Sequence, residues 1–252
     1  MGSHEQHVDK QFSPVAAAYL TSTVHAHGED LARVTEAVRG RTDDRVLDVG
    51  CGAGHMSFTV APHVLSVAAL DLSQSMLDVV MLSARERGIS NIQPHQGVAE
   101  SLPFADESFE CVCTRYSAHH WGRLPLALSE MRRVLKPEGR LIAIDVLGSD
   151  IPLIDTHIQT IELLRDASHV RDYSLSEWTS LLLRAGFRLS AHHSWKLRLE
   201  FEAWVARIRT PPNRVTVIRA LLDGAPQQVR DHLQVEPDYS FQFDATMFEA
   251  RR

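Results

Sequence analysis

The run Val46-Leu47-Asp48-Val49-Gly50-Cys51-Gly52-Ala53-Gly54-His55 constrains this chain most, because it reads as a buried strand that ends in a glycine loop and opens a helix. Glycines at 50, 52 and 54 permit a left-handed backbone and remove the Cβ atoms that would hold a ligand away from the main chain. The helix beginning near Gly54 would turn its free N–H groups and positive dipole end toward that ligand. The spacing is G-x-G-x-G, with His55 where a dinucleotide fingerprint needs its third glycine, and no Lys-Ser or Lys-Thr follows to reach terminal phosphates or magnesium. A pyrophosphate site and a P-loop are therefore both disfavoured. A tight strand-to-helix turn without a ligand is the plain alternative.

Strand patterns recur at 44–49, 64–70, 91–96, 109–115 and 141–146, with helical periodicity after Gly54, from Ser73 (a candidate N-cap) to about 88, and over 124–135. Lys136-Pro137-Glu138-Gly139 reads as a helix stop, and the almost wholly apolar stretch 141–146 suits a strand covered on both faces. Such alternation predicts a doubly wound α/β fold with a parallel sheet that binds ligands at the carboxyl ends of its strands. After Gly148 the rhythm changes: helices are expected over 151–166, from Ser174 or Ser176 to 184, and over 201–207, 215–222 and 226–233. Strand character is expected around Leu189, weakly over 195–200, and over 240–248. The first 40 residues read as helical, broken by a polar stretch at 21–28.

Composition narrows the function classes. At 252 residues, 44% hydrophobic and 23% charged, the chain suits one soluble core, and no run reaches the length of a membrane span. A net charge of −6 argues against a nucleic-acid partner, and Arg132, Arg133 and Lys136 are read as a solvated helix face. Three cysteines make no disulfide framework; Cys111 and Cys113 share one strand face and are expected in the core. With no basic region followed by an apolar one at the N-terminus, a cytoplasmic enzyme is expected, as a monomer or homodimer.

Four features fall in the order that a nucleoside-like ligand lying across the sheet edge would need. The glycine loop takes an amino-acid-like end, and Asp71, 19 residues after Gly52 at the tip of the second strand, can accept from a ribose diol. Val98-Ala99-Glu100 offers backbone groups to a purine edge, with Leu72 and Met76 as apolar cover for its faces. The fourth strand ends at Thr114-Arg115-Tyr116, beside the reacting end.

Taken together, Val-Leu-Asp-Val-Gly-Cys-Gly-Ala-Gly at 46–54, Leu-Asp-Leu-Ser at 70–73, Ala-Glu-Ser-Leu-Pro-Phe at 99–104 and Val-Leu-Lys-Pro-Glu-Gly-Arg-Leu at 134–141 resemble the class I S-adenosylmethionine-dependent methyltransferases. The branch is that of ubiquinone and menaquinone biosynthesis C-methyltransferases (methyltransferase type 11), and the resemblance covers about residues 40 to 150. It implies a doubly wound, mostly parallel, seven-stranded Rossmann-like sheet with helical N- and C-terminal additions forming a lid. Residues 1–40 would be the lid, 41–150 the cofactor-binding core, and 151–252 the completion of the sheet plus a substrate-side cap of the same domain. Carried over by position, Asp48, Gly50 and Gly52 would hold the methionine part of S-adenosylmethionine, Asp71 the ribose hydroxyls, Leu72 and Met76 the adenine faces, and Ala99 the adenine edge. The carbonyl near Thr114 or Arg115 would meet the methionine amine. Val98 departs from the pattern, since relatives often have Asp there to accept from the adenine amino group, and Glu100 or a backbone carbonyl is the substitute. Arg-Tyr-Ser-Ala-His-His at 115–120 and Leu-Arg-Asp-Ala-Ser-His-Val-Arg at 164–171 resemble segments of small bacterial methyltransferases without an assigned substrate.

Methyl transfer from a sulfonium is an in-line displacement with a neutral leaving group, so placement of the acceptor supplies much of the rate and no protein nucleophile is needed. An acidic O–H or C–H acceptor needs a base, and His119 or His120, just after the fourth strand, is the candidate; packing or helix-start roles for both are the alternative. No metal site is expected: His25 and His27, like His192 and His193, lack partners at ligand spacing. Tyr19 either covers the cofactor or fills the core. Tyr116 is placed on the substrate side, and His169, Arg165 and Arg171 either bind an acidic acceptor there or form a surface ion-pair cluster. The leading reading is a small-molecule methyltransferase. Its rivals are a malonyl-carrier-type carboxyl O-methyltransferase, a non-catalytic protein that binds S-adenosylmethionine or S-adenosylhomocysteine, and, last, a dehydrogenase.

Overall fold

Alternation in the first strand sets the two faces of the sheet. In β1 (Arg45–Val49), Leu47 and Val49 enter one buried layer while Val46 enters the other. The computed structural model describes residues 3–15 and 28–252. Beside β1 run β2 (Ser66–Asp71), β3 (Ile92–Gln96), β4 (Phe109–Arg115) and β5 (Leu135–Val146), all parallel. The sheet is completed by β6 (Arg188–Leu199) and β7 (Phe241–Arg251), in the order β3-β2-β1-β4-β5-β7-β6. β7 runs antiparallel to both neighbours, so the sheet is mixed, mostly parallel and seven-stranded.

Before the sheet come α1 (His4–Phe12) and α2 (Glu29–Val38). The glycine loop leads into α3 (His55–Val60), and α4 (Gln74–Glu86) follows β2. On the first face, α2, α3 and α4 pack Val34, Val38, Phe58, Leu77 and Val80 against Val46, Cys111, Cys113 and Ile144. On the second, α5 (Leu124–Val134) and α7 (Leu175–Arg184) bring Leu124, Leu128, Met131, Trp178 and Leu182 to Leu47, Val112 and Phe248. A third core joins α6 (Pro152–Arg165), α8 (Phe201–Arg207), α9 (Pro212–Asp223) and α10 (Gln227–Leu233) around Ile158, Trp204, Ile218 and Phe243. This cap sits past the end of β5, where Val146 belongs to the same core.

Local signals mostly act as read. Ser174 caps α7 in a reciprocal box with Glu177, and Cys111 and Cys113 lie buried with sulfurs 3.7 Å apart. Four expectations are corrected. The helix does end before Lys136, but the strand expected from 141 begins earlier: Leu135 already pairs with Phe109, Lys136–Gly139 is an excursion within β5 in which Glu138 takes φ +61°, and pairing resumes at Cys111 with Arg140. The two weak strand signals around 189 and 195–200 are one strand, because β6 pairs with β7 along its whole length. Ser73 stands at the N-cap of α4 without capping it, its hydroxyl being shared with Ser13 Oγ at 2.7 Å. Lys136 lies on β5 rather than on the helix that carries Arg132 and Arg133; it pairs with Glu110, and Arg133 pairs with Glu130 and Asp106.

Candidate active site

The glycine loop is fastened to the end of β2. Gly50 and Cys51 both donate backbone N–H groups to the Leu70 carbonyl, at 2.8 and 3.0 Å. Asp71 reaches back: Oδ2 accepts the Gly52 N–H at 2.8 Å and Oδ1 the Ser73 N–H at 2.9 Å. Each carboxylate oxygen keeps an acceptor site beyond those bonds. Burial pushes the Asp71 carboxyl above its ordinary range, against the opposing pull of these N–H donors. Gly50 and Gly52 have φ +68° and +50°, but their surroundings differ. A Cβ at 50 would fall 2.0 Å from Ser117 Oγ, whereas a Cβ at 52 would meet nothing within 4 Å. Open space over Gly52 is where a ligand can approach the backbone.

Beneath the loop lies Asp48, on β1 and 1% exposed, whose Oδ2 accepts from Ser57 Oγ at 2.6 Å while Oδ1 has no partner. Burial above all, with nearby Asp71 adding to it, pushes its carboxyl up to about 7 despite the Ser57 bond. An orphaned buried carboxylate oxygen at a cavity wall is a ready acceptor for a ligand's ammonium. That cavity, about 200 Å³, runs along the carboxyl ends of the strands and is lined by both acids, Gly50, Gly52, Leu72, Met76, Ala99 and Glu100. His4, Val8, Asp9 and Phe12 of α1 cover it from the other side, with His4 Nε2 bonded to the His120 carbonyl at 2.7 Å.

At the far end, Tyr116 turns the chain sharply, with φ +50°, from β4 into a short 3-10 turn, Ala118–His120. Arg115 is locked before it by a buried ion pair, Nε to Asp30 Oδ2 of α2 at 2.5 Å. His119 and His120 both line the cavity. Burial alone would lower the His119 pKa, but the charge and hydrogen bond of Asp145, Nδ1 to Oδ1 at 2.7 Å, outweigh it and push the imidazole up to about 9. His120 goes the other way: burial and its charged neighbour His119 hold it well below the ordinary range. Around them the cavity is walled by Tyr116, Val146, Leu197, Leu199, Trp204 and Phe243, with Glu162 and Arg165 as buried polar groups.

Most residues singled out from the sequence come together on this one cavity: Asp48, Gly50, Gly52, Asp71, Leu72, Met76, Ala99, Glu100, Arg115, Tyr116, His119 and His120. Thr114 does not line it; the residue is buried, 1% exposed. His169 and Arg171 do not line it either. His169 is buried behind His119, ring centres 6.1 Å apart, and bonds Gln159, while Arg171 pairs with Glu177 and Asp155. Arg165, in contrast, faces the cavity, stacked over Trp204 and 3.7 Å from Glu162. Glu100 also has a structural bond, accepting the Arg123 N–H at 3.1 Å. Tyr19, His25 and His27 lie outside the described residues. Among the described residues no cluster of His, Cys, Asp or Glu could hold a metal ion. Asp145, Asp30, Glu162 and the α1 residues carried no local signal, since a lone acid in an apolar run gains meaning only from the partner that folding supplies.

Comparison with known proteins identifies the family of this fold. A methyltransferase domain matches residues 47–143. The uncharacterized protein YafE of Escherichia coli is 45% identical over 81% of this chain and 98% of its own. The uncharacterized methyltransferase YcgJ of Bacillus subtilis is 36% identical over 87% of each chain. Its crystal structure superposes with a TM-score of 0.86, covering 90% of this chain and 99% of that one. The chain belongs to the S-adenosylmethionine-dependent methyltransferases. A ubiquinone/menaquinone biosynthesis C-methyltransferase of Rhizobium meliloti is 32% identical over 61% of this chain and 64% of its own. The open approach over Gly52, the orphaned Asp48 oxygen and the unfilled acceptor sites of Asp71 suit this methyltransferase's cofactor: a backbone contact, an ammonium and a diol.

Proposed function

We propose that this methyltransferase moves the methyl group of S-adenosylmethionine onto a small-molecule acceptor held between the cap and the two histidines. The carrying observation is one continuous cavity that joins the glycine loop and Asp71 to the compartment of Trp204, Phe243, His119 and Arg165. Bound at the loop, the sulfonium cofactor supplies an electrophilic methyl group whose sulfur leaves neutral. Asp48 takes the ammonium, Asp71 the ribose hydroxyls, and Leu72 and Met76 the adenine faces. The apolar walls and α1 keep water from the acceptor and hold its nucleophile in line. Glu5 and Asp9 give the α1 side acidic groups, which weighs against an acceptor delivered on an acidic carrier protein. No described helix is long and apolar enough to cross a membrane, and the three cysteines are free and buried; a reducing cytoplasm is the proposed setting.

Calorimetry with S-adenosylhomocysteine and with NAD tests the reading. Binding of the first and not the second is expected, and the reverse would sink it. The same titrations carry a second expectation. An ammonium beside Asp48 favours its carboxylate, so binding lowers a pKa of about 7 and expels a proton. At pH 7 the release is about half a proton, read from the dependence of the heat on buffer ionisation enthalpy. It should fade above pH 8, where the free protein is already ionised, and vanish in Asp48→Asn. No release at pH 7 would put the ammonium elsewhere.

A further inference from the structure

We propose that Asp145 is a positioning residue that holds His119 in its Nδ1–H form, leaving Nε2 as the proton acceptor for the methyl acceptor; the idea rests on the methyltransferase reading above. Asp145 is a carboxylic acid in the apolar run of β5, 2% exposed, and it is not among the cavity-lining residues. Its two oxygens grip one residue twice: Oδ1 meets the His119 ring at Nδ1, 2.7 Å away, and Oδ2 accepts the His119 backbone N–H at 3.2 Å. Oδ1 also accepts the Val146 N–H at 2.9 Å, which fixes the carboxylate itself.

A third hold comes from the loop after α6. The His119 carbonyl accepts the N–H groups of Val170 at 2.9 Å and Arg171 at 3.2 Å. Ring, amide and carbonyl are thus all tied, so the imidazole is set before a ligand arrives and little conformational freedom remains to be lost. A carboxylate on Nδ1 demands a proton there, which makes Nε2 the lone-pair nitrogen of the neutral ring. Among the described residues no hydrogen bond reaches Nε2, and His119 lines the cavity. The acceptor's O–H, N–H or C–H proton passes to Nε2 while its electron pair stays on the acceptor for the methyl group. The imidazolium so formed faces the Asp145 charge.

Other groups face His119 as well. His120 lies 4.2 Å away ring to ring in the same turn, His169 at 6.1 Å in the loop after α6, and Glu162 of α6 and Asp172 contribute negative charge when ionised. Burial holds both of those carboxyls above their ordinary range, and burial likewise lowers His169, to about 3, with the His119 charge adding to it. Of the charges around the ring, that of Asp145 acts most strongly on it. The base form of His119 grows as pH rises through about 9.

Nitrogen-15 NMR of the full-length protein labelled at histidine reads the tautomer directly, with His119→Gln identifying the signal. In the wild type the neutral ring should carry its proton on Nδ1 and titrate near pH 9. In Asp145→Asn the charge is lost and burial remains, so the midpoint should fall by at least one pH unit. A neutral wild-type ring protonated on Nε2, or a midpoint unmoved in Asp145→Asn, would overturn the proposal; the wild-type tautomer decides even if the variant does not fold. Wild-type binding of S-adenosylhomocysteine is a separate measurement, so failure of the methyltransferase reading is distinguishable from failure of this one.

Discussion

Alanine at position 50 should destabilise the protein by about 2–5 kcal/mol, whereas alanine at 52 should leave a folded protein that no longer binds S-adenosylhomocysteine. Both positions have positive φ, so each substitution carries left-handed strain of about 1–2 kcal/mol. The difference lies above the backbone. At 50 the new methyl meets Ser117 Oγ at 2.0 Å and Ser117 Cβ at 2.8 Å, and the tie of the loop to Leu70 limits how far it can yield. At 52 the methyl enters open space and occupies the approach of the ligand to the backbone. Urea denaturation measures the first effect and calorimetry the second. Unchanged affinity in Gly52→Ala would move the methionine end off this loop, and equal stability of the two variants would reject the Ser117 contact.

Asp71→Ala should weaken S-adenosylhomocysteine by about 1–3 kcal/mol through lost charged hydrogen bonds to the ribose. The structure adds a reason why Asp71→Asn should be no milder. Both oxygens already accept backbone N–H groups, from Gly52 and Ser73, so an asparagine must point its amide NH₂ at one of those donors. The variant loses the charge and loosens either the glycine loop or the start of α4. Calorimetry on the two variants checks this; an asparagine with wild-type affinity would mean that the ribose contact does not depend on the carboxylate.

How far the site was legible follows from how local each signal is. Gly50, Gly52 and Asp71 could be read because a strand end, a tight loop and a second strand end form a short-range pattern, and the pairing of β1 with β2 brings them together in any fold of this class. His119 and His120 were legible only as a pair of adjacent imidazoles. Their opposite shifts come from the different groups placed against them: Asp145 raises one, while burial and that charged neighbour depress the other. Arg165 and Arg171 show the same limit. They are six residues apart in similar sequence surroundings, yet one faces the cavity over Trp204 and the other pairs with Glu177 at the surface.

The sequence by itself determined the alternation of strands and helices, the two faces of β1, the glycine loop and the family, because these depend on period, turn chemistry and short motifs. Tertiary structure alone decided the antiparallel β7 and the Asp145–His119 and Asp30–Arg115 pairs. Asp30 and Arg115 stand 85 positions apart, and Asp145 follows His119 by 26. A charge in an apolar run acquires its role only when folding removes water and leaves one partner within reach.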